Sequence, residues 1–311
     1  MEKENELLFF EPVFVERIWG GKKLRECFNY DIPSDHVGEC WGISAHENGD
    51  CVVKNGKFKG KSLSYLYENE RKLFGNVTSS VFPLLIKVID TKEDCSIQVH
   101  PDDAYAKEHE KGSLGKMECW YILDCEKDSK LIVGHKAKTK EELCKLIDEG
   151  KLHELLREVP VKKGDFVQVD PGTVHAITGG VMVLETQQSS DITYRVYDYD
   201  RLFNGKKRKL HLKECKDVIT VPSDDVKVLH FGDVCGAQRM IERSKYCVDK
   251  ITVKEDVDIK VTDSFRLFSC VEGEGIANGV KVKKGDHFMA PANTDSVILK
   301  GNMILISSTA K

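Results

Sequence analysis

The chain has 311 residues, of which 32 % are charged, and a formal net charge of −4 at pH 7. This length allows two domains, and the lack of a large basic surplus argues against a nucleic-acid partner. No apolar run approaches the ~20 residues of a membrane helix, and the acidic start Met1–Glu4 does not fit a signal peptide. The eleven cysteines form no C-x-x-C pair. We therefore expect reduced thiols, a cytoplasmic location and no membrane partner.

The first 80 residues alternate short apolar runs with turn residues. Phe9 to Val15 and Glu39 to Ser44 are predicted strands, and Trp19-Gly20-Gly21 is a predicted turn. A helix is predicted from Ser62, which can cap it, to Phe74, where Gly75 follows.

A lysine interrupts the next strand. Val81 to Ile89 is nearly continuous in apolar residues, which is typical of a buried strand. Lysine in such a run is costly unless its ammonium group reaches water, a partner or a cavity. Lys87 is therefore either a snorkelling lysine at a sheet edge or part of an internal cavity.

Side chains able to bind a metal are concentrated between Ile97 and His175. Gln98 and His100 lie two residues apart on a predicted strand, so their side chains share one face. Glu118 begins an apolar and aromatic run that predicts another strand, and His175 follows a Pro-Gly turn. One amide, two imidazoles and one carboxylate can surround a divalent metal such as zinc. Their spacing fits neither a zinc finger nor a helical H-E-x-x-H site, so the site requires strands that a barrel brings together.

A helical segment separates the two halves of this predicted site. Thr139 and Glu142 form a capping box that opens a helix ended by Gly150, and Leu152 to Arg157 predicts a further helical turn or two. His211 to Ile219 predicts another short helix.

Other polar side chains are expected to face solvent. His109, His135 and His153 lie in charged, helical or turn contexts, and a lone histidine is seldom a ligand. The basic run 206–209 is expected to be a solvated loop, as short charge runs usually are.

A glycine turn followed by a strand occurs twice. Val161 to Phe166 recurs as Val282 to Phe288, which indicates a repeated barrel. The first copy leads to His175, whereas no histidine stands at the matching place after the second copy. His287 is out of register with a ligand, and we assign it a structural role.

This repeat divides the chain into two predicted domains. Residues 1–235 are predicted to form the domain that carries the metal site, with helical insertions at about 62–74 and 139–157. Residues 236–311 are predicted to form a smaller, metal-free barrel.

Several motifs together resemble one known family. The segment from Gly164 to His175 looks like the second cupin motif. The chain as a whole resembles type I mannose-6-phosphate isomerase, a zinc-dependent cupin family, in its short bacterial form. The residues that carry this resemblance follow the family's order along the first three quarters of the chain: Trp19-Gly20-Gly21, Gly38 to Ser44, Phe82 to Lys87, Gln98-x-His100-Pro101, Glu118-x-Trp120-Tyr121, Pro171 to His175 and Asp191-x-x-Tyr194-Arg195-Val196-Tyr197-Asp198.

The resemblance implies a fold, a cofactor and a reaction. The fold is mainly β, with two cupin (jelly-roll) barrels, added helices and a smaller second barrel. The cofactor is one Zn²⁺ per chain, held by Gln98, His100, Glu118 and His175. The reaction interconverts mannose 6-phosphate and fructose 6-phosphate by proton transfer through an enediol.

The same resemblance supplies catalytic candidates. Arg195 could stabilise the enediolate or hold phosphate. Lys87 and Lys116 are the candidates for proton transfer, and Glu39 is a further polar contact. Some relatives have a histidine where this chain has Gly115, so a histidine relay is not expected here.

Two other functions are compatible with the motifs. The chain could be a regulatory cupin that binds sugar or metal without turnover, although a full ligand set and Arg195 are present. It could be a cupin dioxygenase, but those usually hold iron with histidines or with two histidines and one carboxylate, and Gln98 argues against that. The expected partner is a phosphorylated sugar, and the sequence leaves a monomer and a homodimer equally open.

Overall fold

The computed structural model describes residues 6–203 and 205–311. The chain is mainly β, as predicted. Its strands in chain order are β1 (Leu8–Glu11), β2 (Val13–Gly21), β3 (Val37–Ile43), β4 (Ala45–His46), β5 (Gly49–Asp50), β6 (Val52–Val53), β7 (Leu84–Asp90), β8 (Ile97–Val99), β9 (Glu118–Cys125), β10 (Lys130–His135), β11 (Leu156–Pro160), β12 (Asp165–Val169), β13 (His175–Ile177), β14 (Val181–Gln188), β15 (Tyr194–Tyr197), β16 (Leu202–Phe203), β17 (Lys206–Lys207), β18 (Val228–His230), β19 (Gly236–Glu242), β20 (Tyr246–Val253), β21 (Val257–Lys260), β22 (Arg266–Ala277), β23 (Val280–Lys283), β24 (His287–Ala290) and β25 (Ser296–Ala310).

Three large sheets contain most of these strands. A seven-stranded sheet has the order β18-β12-β9-β14-β7-β3-β2, and a five-stranded sheet has the order β11-β10-β13-β8-β15. The third sheet has nine strands, with the order β19-β20-β25-β22-β24-β1-β6, and β21 and β23 are paired to its members β25 and β22. All of the strand pairs in these three sheets are antiparallel.

The seven-stranded sheet is buried on both faces, and β14 shows how. Met182 and Leu184 join the core shared with the nine-stranded sheet, where Thr186 also contacts Ser308 at 3.0 Å between their hydroxyl oxygens. Val181 and Val183 alternate with them and join the core on the other face. This alternation follows from the two-residue period of a strand. The second face of the sheet looks toward the five-stranded sheet and can carry polar side chains.

The N-terminal strand belongs to the nine-stranded sheet. Phe9 of β1 is paired with Phe288 of β24, and their rings stack with centroids 4.9 Å apart. The chain then continues from β2 into the seven-stranded sheet. Our domain boundary at residue 235 stays a prediction. β1 precedes this boundary in the sequence, but it pairs with β24, which follows the boundary.

Five α-helices connect the strands in the part of the chain that the structure describes. They are α1 (Lys23–Phe28), α2 (Leu63–Asn69), α3 (Asp103–His109), α4 (Lys140–Asp148) and α5 (Leu212–Val218). Ser62 caps α2 by accepting a hydrogen bond from the Tyr65 amide, and Thr139 caps α4 by accepting one from the Glu142 amide. Both caps were predicted from the sequence.

Two local predictions differ from the structure. The predicted turn Trp19-Gly20-Gly21 is the end of β2. Gly20 is needed there because a Cβ atom would lie 2.4 Å from the His36 carbonyl oxygen, so glycine permits a close backbone approach rather than a turn. The predicted helix from Leu152 to Arg157 is a 3-10 turn only as far as Leu155, and β11 begins at the next residue.

Two residues that were expected to face solvent are not fully exposed. His135 is buried at the end of β10, where its Nε2–H donates to the Thr220 carbonyl oxygen at 2.9 Å. Arg208, in the run expected to be solvated, pairs with the buried carboxylate of Asp198. No helix in the described residues is long and apolar enough to cross a membrane.

Candidate active site

Three predicted site residues lie side by side in the five-stranded sheet. Gln98 of β8 is the direct partner of His175 on β13 and of Arg195 on β15. Directly opposed residues of antiparallel strands share one face of the sheet. The strand register therefore projects an amide, an imidazole and a guanidinium group from one face.

Backbone carbonyl groups fix the tautomers of both predicted histidine ligands. Nδ1–H of His100 donates to the Ile192 carbonyl oxygen at 2.8 Å, and Nδ1–H of His175 donates to the Thr173 carbonyl oxygen at 2.8 Å. Each Nε2 atom consequently presents a lone pair to the site, as a metal ligand must.

Burial keeps both imidazoles neutral. It places the pKa of His100 well below its usual value. Burial and the positive charge of Lys116 also lower the pKa of His175 to about 4, although the hydrogen bond to the Thr173 carbonyl oxygen acts in the opposite direction. Neutral imidazole is the form that binds metal.

Glu118 faces these lone pairs from the seven-stranded sheet. Its two carboxylate oxygens lie 3.2 Å from Nε2 of His175 and 3.4 Å from Nε2 of His100. Nε2 of His175 carries no proton that could bridge the pair, and Oε1 of Glu118 has no hydrogen-bond partner within the described residues. Two acceptors facing each other in a buried site favour a cation between them.

The donor set has the chemistry of a site for a divalent metal ion. Donor atoms of His100, Glu118 and His175 all lie within 4.8 Å of one another, and all three residues are buried. Gln98 adjoins them, with its amide nitrogen 3.4 Å from Nε2 of His175. Its amide oxygen accepts from Ser96, and rotation of the amide by 180° exchanges the two atoms. Two imidazoles, a carboxylate and an amide oxygen fit a divalent ion that accepts nitrogen and oxygen ligands.

Lys116 is part of the same cluster. Its ammonium group contacts the Glu118 carboxylate and lies 2.9 Å from Nε2 of His100. Burial would lower the pKa of Lys116, but the charges of Glu118 and Glu185 outweigh that effect and raise it. Lys116 is therefore positively charged at neutral pH.

A row of four side chains crosses the seven-stranded sheet beside this cluster. Trp120, Glu185, Lys87 and Trp41 are successive cross-strand partners on β9, β14, β7 and β3. Nζ of Lys87 lies 3.6 Å from Glu185 and 5.1 Å from the centroid of the Trp41 ring. Lys87 is thus a cavity lysine, and it is not at a sheet edge.

The two carboxylates near Lys87 are held differently. Glu39 accepts hydrogen bonds from Arg17 and from Trp41, at 2.9 and 2.7 Å. Burial would raise the pKa of Glu39, but Lys87 and Arg17 outweigh burial and lower it to about 2.

Glu185 has fewer partners. Its Oε1 accepts from Trp120 at 2.9 Å, and its Oε2 has no hydrogen-bond partner in the part of the chain that the structure describes. Burial and the charge of Glu118 raise the pKa of Glu185. Of the two, Glu185 is the carboxylate that is free to accept a proton.

The pocket enclosed by these groups is strongly charged. Five cationic and four anionic side chains line it: Arg17, Lys87, Lys116, Arg195 and Arg208, with Glu39, Glu118, Glu185 and Asp191. A small polar, anionic molecule suits such a lining better than an apolar one.

The arginines at the pocket are not equally neutralised. Arg208 pairs with Asp198, which also binds Arg201. In contrast, Nε of Arg195 is buried without a hydrogen-bond partner among residues 6–203 and 205–311. Burial and the neighbouring charge of Arg208 lower the pKa of Arg195, although a guanidinium group stays charged at any physiological pH.

Five of the seven predicted site residues line this pocket, and the other two, His100 and His175, lie against its Glu118. The sequence did not single out Glu185, Arg17 or Arg208. Glu185 had a signal, because it is an acidic residue in the apolar run 181–186, as Lys87 is a basic residue in its own strand. Arg17 and Arg208 are placed by distant pairing partners and carried no such signal.

Comparison with known proteins identifies the family. The profile of the type I phosphomannose isomerase catalytic domain matches residues 7–149, and that of the mannose-6-phosphate isomerase cupin domain matches residues 238–310. The chain is 49 % identical to mannose-6-phosphate isomerase ManA of Bacillus subtilis over 305 residues, which cover 96 % of each chain. It is 45 % identical to the mannose-6-phosphate isomerase of Streptococcus mutans over 97 % of this chain and 98 % of that one.

A solved structure agrees with the sequence comparison. The crystal structure of mannose 6-phosphate isomerase from Bacillus subtilis superposes with a TM-score of 0.88 and 44 % identity, covering 97 % of this chain and 99 % of that one. The chain therefore belongs to the type I phosphomannose isomerase family of cupin enzymes.

Proposed function

We propose that this enzyme interconverts mannose 6-phosphate and fructose 6-phosphate through an enediol. The observation that carries the proposal is the cluster of His100, Glu118 and His175 donor atoms, within 4.8 Å of one another, beside a pocket with five cationic side chains. Relatives of near-equal length named for this reaction support the choice of substrate.

We further propose one zinc ion per chain, held by Gln98, His100, Glu118 and His175. Bound zinc supplies a Lewis acid that polarises an oxygen of the sugar. The ion and the Lys116 ammonium group would compete for Nε2 of His100 and for Glu118, the atoms that Lys116 contacts. We therefore assign Lys116 to proton donation or charge balance, since its raised pKa leaves it protonated and unsuited to act as a base.

Proton transfer between the two sugar carbons needs a base beside the reacting carbon. Glu185 is the carboxylate best suited to this role, because its raised pKa favours proton uptake and its Oε2 has no other hydrogen bond. Lys87, 3.6 Å away, holds Glu185 in place and balances its charge. Glu39 is already saturated by Arg17 and Trp41 and serves to orient Lys87.

Arg195 completes the proposed site. Its partly unpaired guanidinium group can stabilise negative charge on the enediolate or bind the phosphate, and Arg208 adds positive charge nearby. A planar, permanently charged donor suits either task.

The expected location follows from the thiols and the substrate. All eleven cysteines are free, and seven of them are buried. Unpaired cysteines at this number fit a reducing compartment. A phosphorylated sugar as partner supports a cytoplasmic enzyme.

A coupled assay with mannose 6-phosphate, with and without a chelator, tests the function. We expect turnover, loss of turnover on chelation, and about one zinc per chain, since the donor set forms a single four-ligand site. His175→Ala should lose the metal, whereas His287→Ala should keep it. Full activity in a verified metal-free sample would contradict the zinc proposal, and absence of turnover in a zinc-loaded sample would contradict the substrate.

A further inference from the structure

One buried polar cluster lies outside the pocket and joins the nine-stranded sheet to the strand that carries Glu39 and Trp41. Its centre is His287, the first residue of β24, which is only 1 % exposed. Ser269, the cross-strand partner of His287 on β22, lies with its hydroxyl oxygen 2.8 Å from Nδ1. The hydroxyl oxygen of Tyr30, which follows α1, lies 3.0 Å from Nε2.

The partners of Tyr30 determine the tautomer of His287. The Tyr30 hydroxyl donates its proton to the Gly285 carbonyl oxygen at 2.7 Å. It must therefore accept from His287, so Nε2 carries the proton and Nδ1 accepts from Ser269. Every hydrogen-bonding atom of the imidazole is thus used, and the ring is held in one orientation.

The face of this fixed ring contacts the backbone of β3. A Cβ atom at Gly42 would lie 2.5 Å from each of three atoms of the His287 ring, Cγ, Cδ2 and Cε1. Equal distances to atoms on different sides of the ring place the Gly42 Cα–H directly over its centre. Only glycine allows this approach.

Gly42 is also the extra residue of a β-bulge next to Lys87. Trp41 is paired with Lys87 and Ile43 with Ile86, so two steps along β3 match one step along β7. A bulge bends its strand and changes the direction of nearby side chains. The nearby side chain here is that of Trp41. Its ring lies beneath the Lys87 ammonium group, and its indole N–H donates to Glu39.

We propose that His287 is a positioning residue for the active site: its fixed ring supports the bulge at Gly42 and thereby orients Trp41, Glu39 and Lys87. The nine-stranded sheet, which supplies no ligand, then contributes to catalysis through one contact. This inference rests on the proposed function, since Lys87 acts in the proposed proton transfer. It also replaces the purely structural role that the sequence indicated for His287.

The test compares His287→Ala, Gly42→Ala and the double variant with a matched control. His135→Gln is that control, because His135 is also buried and uses both ring nitrogens in hydrogen bonds, but it lies on β10 away from the pocket. Turnover and KM for mannose 6-phosphate are measured on folded, zinc-loaded protein. Hydrogen exchange of residues 37–43 and 84–90 is followed by mass spectrometry.

We expect His287→Ala to keep its zinc and to lose about tenfold or more in kcat with a smaller change in KM, because even ~1 Å of misplacement can cost up to about 10²-fold. Exchange in both segments should accelerate. His135→Gln should destabilise the protein yet keep kcat within about twofold and leave these segments unchanged. The double variant should be no slower than the slower single variant, since both changes act on one contact.

Two results would overturn the inference: wild-type kcat and exchange in folded His287→Ala, or losses in the two single variants that multiply in the double variant. Failure of the proposed function gives a different pattern. The wild-type enzyme would then not turn over mannose 6-phosphate, while the exchange of residues 37–43 and 84–90 would still decide whether His287 supports the bulge.

Discussion

Arg195 is the residue whose proposed role depends most on an incompletely paired charge. Its guanidinium group is in register with Gln98, beside the donor atoms of His175, and its Nε has no partner among the described residues. A cationic group that is not fully neutralised in the free protein can stabilise a negative charge that arrives with the substrate or develops during the reaction.

Removal of this charge should lower turnover. Arg195→Ala is expected to reduce kcat by about 10²–10³, the usual cost of one preorganised donor. Arg195→Lys should recover only part of the rate, because a point charge cannot reproduce the planar fork. Steady-state kinetics with parallel zinc analysis tests this, and the zinc content should not change.

Other outcomes would change the role of Arg195. A raised KM with intact kcat would assign it to phosphate binding in the ground and transition states alike. Early melting or loss of zinc would make it structural. Unchanged turnover in zinc-loaded, folded Arg195→Ala would remove it from the catalytic residues.

Glu185 and Glu39 form a natural pair for comparison, because both carboxylates flank Lys87. Glu185→Gln should lower kcat by about 10²–10⁴, the range expected for loss of a general base. It should also reveal a larger isotope effect with substrate deuterated at C2, since proton abstraction becomes slower. Glu39→Gln, which removes a carboxylate that is fully hydrogen-bonded and has a lowered pKa of about 2, should cost less than Glu185→Gln. A reversed order would assign the base to Glu39.

At the scale of strands and helices, local pattern predicted more than long-range register. Gln98 lies in β8 and His100 directly follows its last residue, while Thr139 and Glu142 belong to the start of one helix, so periodicity and capping rules suffice to interpret both pairs. The row formed by Trp120, Glu185, Lys87 and Trp41 depends on the register of four strands. That register is set by distant pairing and by a bulge, and the sequence carries no local trace of either. Glu185 and Lys87 each carried a local signal, an ionisable residue in an apolar run, but only the register shows that the two side chains meet.

The cap of α4 gives a prediction at this scale. Thr139→Ala removes the side chain that accepts from the Glu142 amide and should cost about 1 kcal/mol of stability. The melting temperature should fall by roughly 2–4 °C or less, as expected for a protein of this size. Thr139→Ser, which retains the hydroxyl group, should melt close to wild type. Turnover should be unaffected in both variants, and equal melting of all three proteins would show that the cap does not limit stability.

For the whole molecule, the repeat Val161 to Phe166 and Val282 to Phe288 correctly indicated a second β unit, but not how the units join. Residues about 280 positions apart meet in the pair of Phe9 with Phe288. The cluster of Tyr30, Ser269 and His287 likewise draws on three separated segments. Such contacts arise only when the chain closes on itself, so a pattern read along the sequence cannot reveal them. The sequence indicated only a structural role for His287, because it does not show which residues contact the ring.

The same cluster makes stability depend on pH in a defined direction. Burial lowers the pKa of His287 from 6.5 to about 4, with opposing influences from the charges of Asp286 and Lys54. Between these values the unfolded chain binds a proton that the folded chain does not. The contribution of His287 to the free energy of unfolding is therefore complete above pH 6.5. Up to roughly 3 kcal/mol of it is lost as the pH falls toward 4. Glu39, with its lowered pKa of about 2, loses its own contribution only below pH 4.5. Burial also lowers the pKa of His175 to about 4, so the contribution of His287 is obtained as the difference between wild type and a His287 variant.

His287→Gln should reveal this dependence. The variant should melt below wild type at pH 7, and the difference between the two melting temperatures should narrow as the pH falls to 5, because only the wild type must keep a histidine neutral at this site. Measurements on metal-free protein in chelator prevent zinc release from contributing. The exposed His153 provides the control, and His153→Gln should follow the wild-type curve at every pH. A constant gap between wild type and His287→Gln from pH 7 to pH 5 would mean that His287 is not the neutral, fully bonded imidazole that holds the Gly42 bulge in place.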